Sequence, residues 1–138
     1  MESNLSCQNL KKNYNNTNKI IYDLIFLQIS NLISDLRVVL PNDIVLKVCQ
    51  DNLKCFNKNK VETIDYFKKC LDNTIINLIK NKDEYLFSED NKSLKNIKFK
   101  RSSFVFNKIR KNWHILNIND KTVVWKYLNF ILKLLEQV

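Results

Sequence analysis

None of the 138 residues is glycine, and Pro41 is the only proline. This omission constrains the fold more than any motif in the chain. Glycine supplies the positive-φ positions of tight hairpins and the bare backbone needed for close approaches. A chain without it is poorly suited to hairpin-rich sheets and well suited to helices joined by Asn- and Lys-bearing loops. The omission also argues against two ligand classes. The phosphate-cradling P-loop and the dinucleotide fingerprint both need glycines, because a side chain obstructs the approach of backbone N–H groups to phosphate. The excess of Asn, Lys and Ile matches the codon use of an A/T-rich genome.

Apolar periodicity then predicts an all-α fold, a compact bundle of four to five helices in a single domain. Residues 1–17 are polar and Asn-rich and read as a tail or irregular segment, leaving 18–138 as the helical domain. The first helix is expected over 18–40, capped by Asn18. Ile21, Ile25, Leu32, Leu36 and Val39 define its face, and Leu24, Phe26 and Leu27 widen it. Asp23, Asp35 and Arg37 argue against a membrane span, since charges at mid-bilayer are costly. Pro41 ends this helix, because the residue before a proline avoids helical angles.

A second helix is expected over 42–56, capped by Asn42 or Asp43, with Ile44, Val45, Val48, Cys49, Leu53 and Phe56 facing inward. A third covers 61–80, with Val61, Ile64, Phe67, Leu71, Ile75 and Leu78 inward. The pattern weakens over 81–101, where the apolar knot Tyr85-Leu86-Phe87 suggests a helical turn, followed by an extended segment through Ile97 and Phe99. A fourth helix spans 103–113, with Phe104, Phe106, Ile109 and Trp113. The last, 120–137, has the strongest pattern. Val124, Leu128, Ile131 and Leu135 fall within about 60° of one another, and further apolar residues widen the arc to roughly 220°. Asn119 or Asp120 is its expected cap. Helices 18–40, 61–80 and 120–137 are expected to form the core.

The net charge of +9 is unevenly distributed along the chain. Residues 1–90 carry 12 Lys/Arg and 12 Asp/Glu, whereas 91–138 carry 11 Lys/Arg and only Asp120 and Glu136 as acids. Such asymmetry favours a nucleic-acid, membrane-surface or acidic-protein partner. Residues 91–113 contain Lys92, Lys95, Lys98, Lys100, Arg101, Lys108, Arg110 and Lys111 and no acid, interleaved with Phe99, Phe104, Phe106 and Trp113. Cations neutralise phosphates and exposed aromatics stack on bases. These eight cations are therefore the candidate polyanion-binding residues. The alternative is a solvated face, or one that meets an acidic protein, with the aromatics in the core.

Catalytic, cofactor-binding and metal residues find no candidates. A single histidine, His114, and the scattered Cys7, Cys49, Cys55 and Cys70 do not supply a zinc site at standard spacing. His114 lies between Trp113 and Ile115 and reads as structural or surface. No enzyme activity and no cofactor are expected. The cysteines fit a reduced compartment, the cytoplasm or alternatively the nucleus.

One segment resembles a known group. Trp113, a short spacer, and Asn119-Asp120-Lys121-Thr122-Val123-Val124-Trp125-Lys126-Tyr127-Leu128 are similar to the C-terminal end of small helical proteins of nucleocytoplasmic large DNA viruses. The likeness covers about residues 108–135. It implies a setting in host cytoplasm or virion and no catalytic pattern. The expected function is a non-enzymatic helical interaction protein working through a protein partner or self-association. The alternative is nucleic-acid binding through 92–111. Trp113, Trp125 and Lys126, where the basic stretch meets the last helix, are the candidate partner-binding residues.

Overall fold

No proline interrupts the chain before Pro41, and helix α1 uses the whole of that run, Glu2–Val39. It starts well before the expected Asn18, because the polar residues ahead of it include no helix breaker and several good helix formers. The structure is a computed structural model that describes residues 2–56, 60–88, 91 and 100–138. Side chains are described for 17–51, 60–65, 67–69, 71–88, 91 and 105–138. The remaining helices are α2 (Ile44–Phe56), α3 (Lys60–Cys70), α4 (Asn73–Lys80), α5 (Lys100–Asn112) and α6 (Ile118–Leu135), with a 3-10 turn at Glu84–Phe87. The fold is all-α, six helices with no strand among the described residues. The extended segment expected through Ile97 and Phe99 lies outside those residues.

Polar caps set the boundaries. Past Pro41, the Asp43 carboxylate accepts from the backbone N–H of Val45 and Leu46 at 3.0 and 3.2 Å, opening α2. The single helix expected over 61–80 is instead two. Asp72 adopts an extended backbone and accepts from Ile75 N–H at 2.8 Å, starting α4 afresh. A short acidic side chain at this position competes with helix continuation and favours an N-cap. Helix α6 begins earlier than expected, with Asn117 as its cap accepting from Asp120 N–H at 2.8 Å. Lys82, at φ 51°, holds a left-handed position just after α4 that glycine would ordinarily fill.

One apolar cluster joins all six helices, from Ile21, Ile25 and Leu36 of α1 to Leu46, Ile64, Ile75, Ile109, Val124 and Leu128. The expected inner face of α6, Val124, Leu128, Ile131 and Leu135, is buried. On α2 the expected face is right at Cys49 and wrong at Ile44, Val45 and Val48, and the side chains of Leu53 and Phe56 are not described. Ile44, Val45 and Val48 are exposed, while Leu46 is completely buried beside Cys49. Val61 of α3 and Leu24 and Leu27 of α1 also point outward. Two adjacent aliphatic rows on one helix were read as a single wide face. The ladder from Asp43 fixes the phase of α2, turning Leu46 toward α1.

Helix α1 packs chiefly against α6 and α2, and less extensively against α3. Polar contacts fix these neighbours. The Tyr127 hydroxyl of α6 donates to Asp35 at 2.5 Å, and the Tyr22 hydroxyl of α1 donates to Asp65 of α3 at 3.1 Å. Gln50 of α2 donates to the Ser34 hydroxyl at 2.8 Å and accepts from Arg37. Lys68 of α3 reaches the Val138 carbonyl. Tyr127 therefore meets α1 near its C-terminal end while the end of α6 lies near α3 and Tyr22, so α6 runs antiparallel to α1. Asn91, a buried polar residue, donates to the Leu86 carbonyl at 3.1 Å.

Two measurements check this arrangement. Leu46→Ala is expected to lower stability by about 3 kcal/mol, as for other fully buried leucines, whereas Val48→Ala should change it by less than about 0.5 kcal/mol. Denaturant unfolding of both variants would separate the two faces of α2. The hydrogen bond to Asp35, with burial second, pushes the Tyr127 hydroxyl up from 10.0 to about 12. Its folded value is raised, so its contribution is complete below pH 10 and is lost as pH rises through about 12. Spectrophotometric titration should show a late-ionising tyrosine that Tyr127→Phe removes.

Candidate interaction surfaces

The basic stretch folds differently from its reading as a continuous cationic surface. Lys92, Lys95 and Lys98 lie outside the described residues. Lys100 and Arg101 sit in the first turn of α5, in a part whose side chains are not described. Lys108 donates to Asp43, the cap of α2, in an ion pair of 2.8 Å whose side chains are only 22% and 14% exposed. Arg110 is half-buried, and its Nη1 is enclosed with no acceptor among the described residues. Lys111 is exposed.

Charge that is separated along the sequence is partly recombined in space. Lys108 meets Asp43 and Lys121 meets Glu84 at 3.5 Å, while Glu136, an acid of the basic third, is taken by Lys80 at 3.0 Å. In each, a residue from the basic third of the chain pairs with one from the charge-balanced part. The Lys108–Asp43 pair does most structurally, because it ties α5 to the first turn of α2. The Cys49 thiol lies nearby, and burial pushes it up from its ordinary value, with Asp43 adding to the rise and Lys108 opposing it. A neutral, buried thiol of this kind is a packing residue rather than a nucleophile.

The two tryptophans do come together, inside the fold. The Trp113 and Trp125 rings are 5.5 Å apart and edge-on, and Phe87 lies 4.6 Å from the first and 5.4 Å from the second. Phe106 continues the cluster from Phe87 to Phe67, at 6.5 and 6.1 Å. Both indoles are buried. Tilted and edge-on pairs add stabilisation beyond the area they bury. The Lys121 ammonium caps this cluster, 5.0 Å above the Trp113 ring. Lys126 alone of the three candidate partner residues is exposed, and His114 is exposed in the turn beside Trp113.

Exposed apolar surface lies elsewhere. On α1, Ile20 is 61% exposed, Leu24 37%, Leu27 52% and Val38 80%. With Asn31, also exposed, they follow the spacing 4, 3, 4, 7 and fall within about 60° of one another, turned away from Ile25. Polar contacts bound the row on both sides. On one side Asp35 accepts from Tyr127, and on the other Asp23 accepts from Lys60 at 2.7 Å. Val123 and Phe130 of α6, four residues before Tyr127 and three after it, are exposed next to that boundary. A second row, Ile44, Val45 and Val48, lies on the outside of α2. The α1 spacing was present in the sequence. It was hidden because a neighbouring row, Ile21, Ile25, Leu32 and Leu36, carries the same kind of residue.

Among the described residues no three His, Cys, Asp or Glu side chains group as metal ligands, and no helix is long and apolar enough to cross a membrane.

The Asp43 pair yields a pH signature. Burial works to raise its carboxyl, but the Lys108 hydrogen bond, the Leu46 and Val45 N–H donors and the Lys108 charge together hold it below the ordinary 3.8. A depressed folded value stabilises above pH 3.8 and loses that contribution as pH falls through the lower value. Asp43→Ala should therefore cost about 1–2 kcal/mol at neutral pH through loss of cap and pair. The gap from wild type should close in strong acid, as read by unfolding at several pH values. No protein-family model, curated protein or solved structure matches this chain.

Proposed function

We propose that this chain is a non-enzymatic helical interaction protein that works through protein–protein contacts, in the viral setting implied by its C-terminal resemblance. The exposed row on α1 carries the reading. Ile20, Leu24, Leu27 and Val38 project from the longest helix into solvent with polar contacts on either side. Ile20, Leu24 and Leu27 are consecutive in the row, Asn31 and Ser34 separate them from Val38, and apolar surface with a polar rim is the usual form of an interaction site. Scattered exposed aliphatics need no explanation, but a row at helical spacing over about 27 Å of helix does.

The cation placement supports this reading over nucleic-acid binding. Lys108 is engaged by Asp43 and Arg110 is half-buried, which leaves two of the eight proposed phosphate contacts only partly open to solvent. Of the four aromatics expected to stack on bases, Phe106 and Trp113 are in the core, Phe99 lies outside the described residues and the side chain of Phe104 is not described.

Affinity capture from cells of the native source, with nuclease treatment and mass spectrometry, tests the proposal. A protein should be retained through nuclease digestion and lost with Leu24→Glu/Leu27→Glu, a variant expected to keep the wild-type circular dichroism and melting profile. Capture that depends on nucleic acid, or that survives the double substitution, would contradict it.

A further inference from the structure

We infer that the trough between α1 and α6 receives an acidic amphipathic helix of another protein. The inference rests on the reading of the α1 row as an interaction surface and names the chemistry of its partner. The two helices run antiparallel, and the hydrogen bond from Tyr127 to Asp35 crosses between them. On the α1 side of that bond stand Leu24 and Asn31, and on the α6 side Val123 and Phe130, all exposed. At the usual helical rise Phe130 comes level with Asn31, and Lys133 with the turn between Leu27 and Asn31. Two helices packed side by side leave a trough along their outer seam, and the ridges of a third helix fit it. An apolar helix face laid into such a trough is a recurrent mode of recognition.

Charge specifies the partner. Lys126 and Lys133 stand on the same outer face of α6 as Phe130, two helical turns apart, and both are exposed. Neither pairs with an acid among the described residues. Lys19 and Arg37 add positive charge along α1, and the bond from Arg37 to Gln50 leaves that charge in place. The acids beside the trough are already engaged. Asp23 is held by Lys60, Asp35 accepts from Tyr127, and Asp120 lies in the first turn of α6, where a helix N-terminus favours a carboxylate. With Lys60 counted, five cations face three acids, so the rim is net positive.

A trough of this kind, apolar along its floor with free cations on one edge, matches a helix whose apolar stripe is flanked by carboxylates seven residues apart. Other polyanions fit it less well. Two free ammonium groups about 10 Å apart neutralise few phosphates. A concave trough also holds its apolar floor away from a flat bilayer.

Zero-length carbodiimide coupling in a nuclease-treated extract of the native source tests this, because it joins an amine only to a carboxylate in contact with it. Wild type should be recovered with Lys126 or Lys133 linked to Asp or Glu in one segment of another protein, a segment with apolar residues at helical spacing. Lys126→Glu/Lys133→Glu should lower retention of that protein at least tenfold with an unchanged melting profile, and Lys126→Arg/Lys133→Arg should keep it within twofold. Links confined to the chain itself, or retention indifferent to the charge reversal, overturn the inference. So does a chain that retains no protein but binds vesicles of phosphatidylserine and phosphatidylcholine. Capture that is lost with Leu24→Glu/Leu27→Glu yet survives the charge reversal overturns the acidic partner alone. Capture that survives both double substitutions overturns the interaction reading as well.

Discussion

Helix α1 has more side than the rest of the chain can cover. Its 38 residues extend roughly 57 Å at the usual helical rise, whereas α6, the next longest, has 18 residues and spans about 27 Å. Three neighbours, α6, α2 and α3, enclose the Ile21, Ile25, Leu32 and Leu36 face. Each is held there by a polar contact at the margin: Tyr127 to Asp35, Gln50 to Ser34 and Asp65 to Tyr22. Those contacts also limit how far the neighbours can wrap around. The outer row is left to solvent because the elements that could bury it are fixed at its edges.

A second constraint comes from where charge ends up after folding. Along the sequence, the excess of cations in the last third resembles a binding stripe. In the fold, Asp43, Glu84 and Lys80 reach across to partners in that third. Asp43 serves twice, as cap of α2 and as counter-ion of Lys108, so one carboxylate sets the phase of α2 and anchors α5. That phase buries Leu46 and exposes Ile44 and Val48.

The all-α class was legible because the absence of glycine and the apolar periods pointed the same way, and Pro41 marked a true boundary. The α6 face was legible because its apolar residues are continuous enough that any phase error still lands on the core. The α1 face of Ile21, Ile25, Leu32 and Leu36 was legible too, but the outward turn of Leu24 and Leu27 and the phase of α2 were not, since each helix carries two aliphatic rows and sequence period alone does not say which one finds a neighbour. The break at Asp72 was missed because the apolar spacing of Leu71, Ile75 and Leu78 continues through it, and only the capping preference of an aspartate signals a restart. Trp113 and Trp125 lie together but not as the expected partner-binding surface, because an aromatic pair satisfies the core as readily as a surface, and here Phe87 closes over both.

The account therefore turns on a helix with two apolar rows, one buried in the core and one left to solvent and proposed here to meet a protein partner. Lys19 is exposed immediately before Ile20 and offers a direct reporter. Amine cross-linking in an extract of the native source, read by mass spectrometry, reports what lies against that row. The account predicts a link from Lys19 to a lysine of another polypeptide chain that Leu24→Glu/Leu27→Glu abolishes. Links of Lys19 confined to its own chain would contradict it.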